Sequence, residues 1–313
     1  MFKTPILFII FNRLQTTKQV FEKIREAKPT QLFIAADGPR EGNESDVQKC
    51  KEVRDWVLSN IDWECDVKTL FQEKNLGCGR NPASAITWFF EQVEMGIILE
   101  DDTVPSITFF SFCEKLLLRY KNDNRFFVIA GVNYQPKPVN MYSYYYTAMG
   151  HCGAWASWSR AWSHFKYEMY SYDDVKMAHS IKYYFKTKQQ FNYWYNIYLN
   201  MKQNPVSDIW DYQWTLCQWY NKAINILPNS NMINNVGYGE DSTHIKYKID
   251  GIFDVPTQDI YNIIHPKQIK INRKADLYTF YKNFERKKKN IFWYKVRDKI
   301  KYELRKAKQF VRL

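Results

Sequence analysis

No apolar stretch in the 313 residues is long enough to cross a bilayer. The longest runs, such as Pro5–Phe11 and Gly96–Leu99, fall far short of the ~20 residues that a spanning helix needs. Nor does a charged, apolar, small-residue leader pattern open the chain, and the two absences together lead us to expect a cytoplasmic protein. The six cysteines (Cys50, Cys65, Cys78, Cys113, Cys152 and Cys217) have no C-x-x-C spacing, which argues against both a zinc site and a disulfide framework. Reduced thiols are expected. No repeat of fixed period breaks the chain into units.

What the chain does have is 45% hydrophobic residues, enough for a full core, and an aromatic content of 18% with 23 Tyr and 11 Trp. Such rings fill cores and interfaces, and they also stack on sugars or bases. The net charge of +12 is concentrated at one end: from Tyr281 onward thirteen Lys or Arg stand against three acids. Within that tail Phe292, Val296, Ile300, Leu304, Ala307 and Val311 fall at helical spacing, with basic residues on the other faces and Trp293 beside them. A helix of this kind can lie on an anionic membrane surface or pack on the domain with its charged face in water.

The first 133 residues alternate two patterns. "PILFIIFN", "QLFIAADG", "CDVKTLFQE" and "MGIILEDD" read as strands, while "TTKQVFEKIREAK", "DVQKCKEVRDWVLSN" and "NPASAITWFFEQV", with Pro82 near its start, read as helices. Buried strands without polar alternation, separated by helices, predict an α/β fold with a mostly parallel sheet covered on both faces. The segment from Tyr172 to Trp219 reads as mainly helical with a break at Pro205, and Ile226–His244 as a strand followed by a polar loop.

Three carboxylates, Glu100, Asp101 and Asp102, close the fourth strand pattern. Ligands of open parallel sheets bind at the carboxyl ends of the strands, and clustered acids repel unless a cation compensates them. A hard divalent ion bridging carboxylate and diphosphate would resolve that repulsion. Asp211, flanked by Trp210 and Trp214, is a second acid of interest; apolar flanks raise the proton affinity of a carboxylate, although Asp211 or Asp208 can equally cap a helix. His151 in "GHCGAWASWSRAW" is a candidate sugar or phosphate contact or a structural histidine, and Trp155 and Trp158 are core or a sugar platform.

"PILFIIFNR", "FIAADGP", "NLGCGRNPASAI" and "GIILEDDTVPSITFF", in this order and spacing, resemble the nucleotide-sugar half of GT-A glycosyltransferases, most closely the N-acetylglucosaminyltransferase I type and its bacterial relatives. The resemblance covers about Thr4 to His244. It implies a GT-A domain over residues 1–255, with a nucleotide-sugar half (1–133) and an acceptor half (134–255), followed by a basic helical extension (256–313). It also implies that Arg13 contacts the donor diphosphate, that Asp37 contacts the uracil ring, and that Asp102 ligates Mn²⁺ or Mg²⁺. Glu100 and Asp101 would then contact ribose or the donor sugar, or support the metal. Where the family has an Arg-His pair this chain has Arg80 and Asn81, whose amide can still donate to a uracil carbonyl. Asp211 takes the place of the family's catalytic base, and His244 that of a late histidine reaching metal or diphosphate; Glu240 and Asp241 are next to it.

The expected function is therefore metal-dependent, inverting transfer of GlcNAc or another hexose from a UDP-sugar to a saccharide or lipid-linked acceptor, in surface polysaccharide synthesis. The location would be cytoplasmic, with peripheral docking at the inner face of the membrane. The alternatives are a non-catalytic sugar-binding relative and a basic nucleic-acid-binding protein. Charge placement argues against the second, since the surplus lies in the tail and the pocket is acidic.

Overall fold

The computed structural model describes residues 2–204, 208–238 and 255–284. The expected tail helix, Pro205 and the positions Glu240, Asp241 and His244 lie outside the described residues. One compact unit runs from Met1 to Asn272, and a second begins at Arg273.

The first unit opens as β1 (Ile6–Ile10), α1 (Leu14–Ala27), β2 (Gln31–Ala36), α2 (Glu44–Ser59), β3 (Asp66–Phe71), α3 (Gly77–Phe90) and β4 (Met95–Glu100). It continues through β5 (Thr103–Pro105), α4 (Ile107–Arg119), β6 (Phe126–Ala130), β7 (Tyr144–Thr147), β8 (Trp155–Trp158) and α5 (Ser159–Trp162). The elements α6 (Asp174–Tyr184), α7 (Lys188–Gln203), α8 (Asp211–Tyr220), β9 (Ile224–Pro228) and β10 (Ile233–Asn235) complete it. In the second unit α9 spans Arg273–Thr279 and runs on into a π-helical turn.

Eight strands form one mostly parallel sheet in the order β3-β2-β1-β4-β8-β6-β9-β7, flanked by helices. Strands β3, β2, β1 and β4 are mutually parallel, and every residue of β1 is buried, which is why its sequence shows no alternation. Antiparallel β8 is inserted between β4 and β6, pairing Ile97 with Ala156 on one side and Ala130 with Trp155 on the other. A two-stranded ribbon of β5 and β10 stands apart, with Thr103 opposite Asn235. The core on the α4 side joins Phe109, Phe110 and Leu116 to Ile97 and Leu99 of β4 and Trp158 of β8.

Helix α3 starts at Gly77, earlier than the sequence pattern suggested, so Pro82 lies inside it. The early start is stabilised from outside the helix. The Asp37 carboxylate at the end of β2 accepts the backbone N–H groups of Leu76 (2.8 Å) and Gly77 (3.1 Å), which are orphan donors of the first turn. Gly77 itself is at φ +83°, the left-handed region that suits glycine.

Candidate functional site

The carboxyl ends of β1, β2 and β4 face one cavity of about 760 Å³. Arg13, Asp37, Asn81, Glu100, Asp101 and Asp102 all line it, as does Asp208. Six of the sequence-predicted site residues are thus gathered in one place by sheet topology. Arg80 is not among the lining residues: its guanidinium pairs with Glu168 at 3.2 Å and sits over the Tyr167 ring.

Arg13 precedes α1 directly, and its backbone carbonyl accepts the hydroxyls of Thr16 and Thr17. This fixes the backbone while leaving the side chain to reach the acids. One guanidinium nitrogen donates to both Asp101 and, at 2.9 Å, Asp102. Burial works against the charge of Arg13, yet the two carboxylates together hold its proton affinity above the ordinary value.

The acids differ in their surroundings. Burial, then the charges of Asp102, Asp101 and Asp211, push Glu100 up to about 8. Burial likewise raises Asp101 to about 6 against the pull of Arg13. Asp101 also has an oxygen, Oδ2, that is closed off from solvent without a hydrogen-bond partner. Asp102 is covered by the start of the late loop: its carbonyl accepts the N–H of Val236 at 2.8 Å, and Gly237 lies so close that an added Cβ would fall 1.9 Å from Oδ2. Only a residue without a side chain fits there.

An acid whose folded-state pKa is raised contributes stability at low pH that is lost as pH rises through the folded value. For Glu100 the window runs from the ordinary 4.5 to about 8. With chelator present, stability should therefore fall across that window. Glu100→Gln, which cannot ionise, should flatten the slope and raise the melting temperature at pH 8 by roughly 2–4 °C. A variant with an unchanged slope in thermal melts would show that the strain lies elsewhere.

Asp37 accepts four hydrogen bonds, from the N–H groups of Gly38, Leu76 and Gly77 and from the Asn75 amide at 3.0 Å. Its carboxylate thus welds the end of β2 to the start of α3. Burial raises its pKa despite these donors. Arg40, a further basic residue on the cavity wall, forks onto Asp46, which also accepts from Asn12 at 2.8 Å. Sequence reasoning passed over Arg40, Asn75 and Gly237; for the last, the glycine in "NNVGYG" was the available signal.

Asp211 opens α8, exposed, with its carboxylate accepting the N–H of Tyr212 at 2.9 Å. It lies near enough to Glu100 for its charge to raise that group, and both charges add to burial in pushing the Cys152 thiol up. Asp208 does not cap α8, whose cap residue is Trp210; its carboxylate stands over Gly77, and its carbonyl accepts from the Cys78 thiol. Burial lowers His151 to about 4, so it is neutral at physiological pH, and it meets Tyr134 edge-on at 5.2 Å. Trp155 and Trp158 are fully buried, which makes them core and leaves no ring face for a sugar.

Among the described residues no three His, Cys, Asp or Glu side chains converge into a metal-holding cluster. Asp101 and Asp102 both line the cavity, and carboxylate oxygens are the donors a hard divalent cation prefers; the Oδ2 atom of Asp101 has no hydrogen-bond partner to compete for it. Among the described residues no helix is long and apolar enough to cross a membrane.

No family model and no curated protein matches the sequence. Among solved structures, S. aureus TarS 1–349 is similar with a TM-score of 0.33 and 10% identity, over 50% of this chain and 47% of that one. The chain therefore spans about half of that TarS structure. The inositol-1-phosphate CTP transferase from T. maritima gives a TM-score of 0.32 and 9% identity, over 52% of this chain and 74% of that chain. A UDP-glucose pyrophosphorylase complexed with UDP-glucose gives 0.31 and 13%, over 52% and 79%. The chain itself has an α/β fold built on a mostly parallel eight-stranded sheet flanked by helices.

Proposed function

We propose that this chain is a GT-A-type, inverting glycosyltransferase that moves a sugar from a UDP-sugar, GlcNAc or another hexose, to a saccharide or lipid-linked acceptor hydroxyl. The observation that supports the reading is the gathering of Arg13, Asp37, Asn81 and the carboxylates Glu100, Asp101 and Asp102 around one cavity at the strand ends; Asp211 is not among the lining residues, but its charge reaches Glu100 and helps to raise it. Arg13 and the Asn81 side of α3 receive the nucleotide diphosphate and base, and Asp211 accepts the proton of the acceptor hydroxyl. The hydroxyl oxygen then attacks the anomeric carbon from the face opposite the diphosphate, and the bond to the diphosphate breaks with inversion. A Mn²⁺ or Mg²⁺ ion held by Asp102, with Asp101 behind it, would supply Lewis-acid neutralisation of the leaving diphosphate.

The test is calorimetric binding of UDP, GDP and their sugars with Mn²⁺ and with excess chelator. UDP is expected to bind appreciably only with the metal, and Asp102→Asn to abolish that dependence. Equal UDP affinity with chelator would remove the metal bridge from the proposal.

A further inference from the structure

Three like charges at the end of a buried strand need a counter-charge, and in this structure Arg13 provides it. Its guanidinium contacts Asp101 and Asp102 at once, and its charge opposes the rise of both Glu100 and Asp101. Two other basic residues line the cavity wall, Arg40 and Lys49; Arg40 is committed to Asp46, and only Arg13 is recorded on Asp101 and Asp102 among the described residues. Arg13 also lines the cavity, where it shares the space with the groups that would meet a diphosphate. The same guanidinium therefore has two partners competing for it, because phosphate and carboxylate both match its planar donor fork.

We propose that Arg13 is an internal latch on the cation site: it occupies Asp101 and Asp102 in the nucleotide-free protein, and a nucleoside diphosphate draws it away and so opens those carboxylates to a divalent cation. The proposal rests on the function put forward above. Bound to the carboxylates, the guanidinium offsets one unit of the charge that would attract a metal and occupies an oxygen of each acid. Bound to phosphate, it leaves the site with its full negative charge and with the closed-off Oδ2 of Asp101 still lacking a donor. Metal and nucleotide then strengthen each other, and the coupling is reciprocal. Loading the cation before the nucleotide is disfavoured by the protein itself, beyond the affinity of any diphosphate for metals.

The decisive variant is Arg13→Gln, with Arg13→Lys as the charge-retaining control; circular dichroism confirms folding. Free Mn²⁺ is measured by electron paramagnetic resonance, with and without UDP. The latch predicts that Arg13→Gln binds Mn²⁺ alone about 5–150-fold more tightly than the wild type, the usual range of a coupling free energy. Arg13→Lys should remain close to the wild type. If Arg13→Gln fails to fold, Arg13→Lys still decides: it keeps a point charge but not the fork, and with UDP present its coupling must fall below the wild-type value. Nucleotide-dependent Mn²⁺ binding in the wild type with no tightening in Arg13→Gln overturns the latch and leaves the function standing. If the wild type and both variants bind no Mn²⁺ under any condition, the metal reading and the latch fall together.

Discussion

Asp211→Asn is expected to lower the rate of sugar transfer by about 10²–10⁴-fold while leaving the dissociation constant of the UDP-sugar nearly unchanged. The amide keeps the shape and the contact with the Tyr212 N–H, made at 2.9 Å, but cannot accept a proton. Removing a group that acts in the transition state affects turnover and spares the ground-state complex. Asp102→Asn should instead lose both. The variant has a second readout, because Asp211 contributes to the raised Glu100: without that negative charge the proton affinity of Glu100 should fall. An Asp211→Asn protein with near-normal turnover, or a product that retains the donor anomer, would take Asp211 out of the mechanism and bring Asp208, on the cavity wall, to the front.

Trp214→Ala is expected to destabilise the protein by about 3–5 kcal/mol. The ring is fully buried, with Trp162 at 4.9 Å and Phe127 stacked at 5.7 Å, and Trp155 and Phe165 close behind. This cluster holds α8 against β6 and β8, and so it sets where Asp211 stands. Trp214→Phe should cost far less, since the indole N–H is buried without a hydrogen-bond partner and its removal relieves a desolvated donor. Denaturant titrations measure both, with a lower midpoint at constant slope as the signature of lost stability. A Trp214→Ala protein of normal stability would show that this cluster does not hold α8 in place.

How far such a site can be read from sequence depends on how local its causes are. The strands β1, β2 and β4 were legible because burial on both faces leaves uninterrupted apolar runs, and Glu100–Asp102 stood out by ending one of them. Asp211 drew notice through its flanking tryptophans, and the structure places it at the start of α8. The start of α3 was not, since the group that satisfies its first N–H donors is Asp37, contributed by a distant strand. The ribbon of β5 and β10 was hidden for a different reason. Strands as short as Thr103–Pro105 and Ile233–Asn235 carry no periodicity, and only their pairing defines them. Arg13 was expected to contact a donor diphosphate; its hold on Asp101 and Asp102 could not be foreseen, because it depends on how α1 follows β1 in space.

The placement of β8 has a consequence for the order in which a ribosome delivers this fold. When β4 has emerged, its parallel partner β1 already covers one side, but the backbone groups on the other side await Trp155–Trp158, which are made much later. Strand β6, synthesised in between, cannot fill the gap, because it reaches the sheet only through β8. During that interval the nascent chain presents a hydrophobic strand with a row of free donors and acceptors, the geometry that templates association with other chains. The exposed side of β4 is thus covered only once the segment after Gly153 has been translated, and the interval between residues 100 and 158 is the stage of synthesis at which this edge stands open.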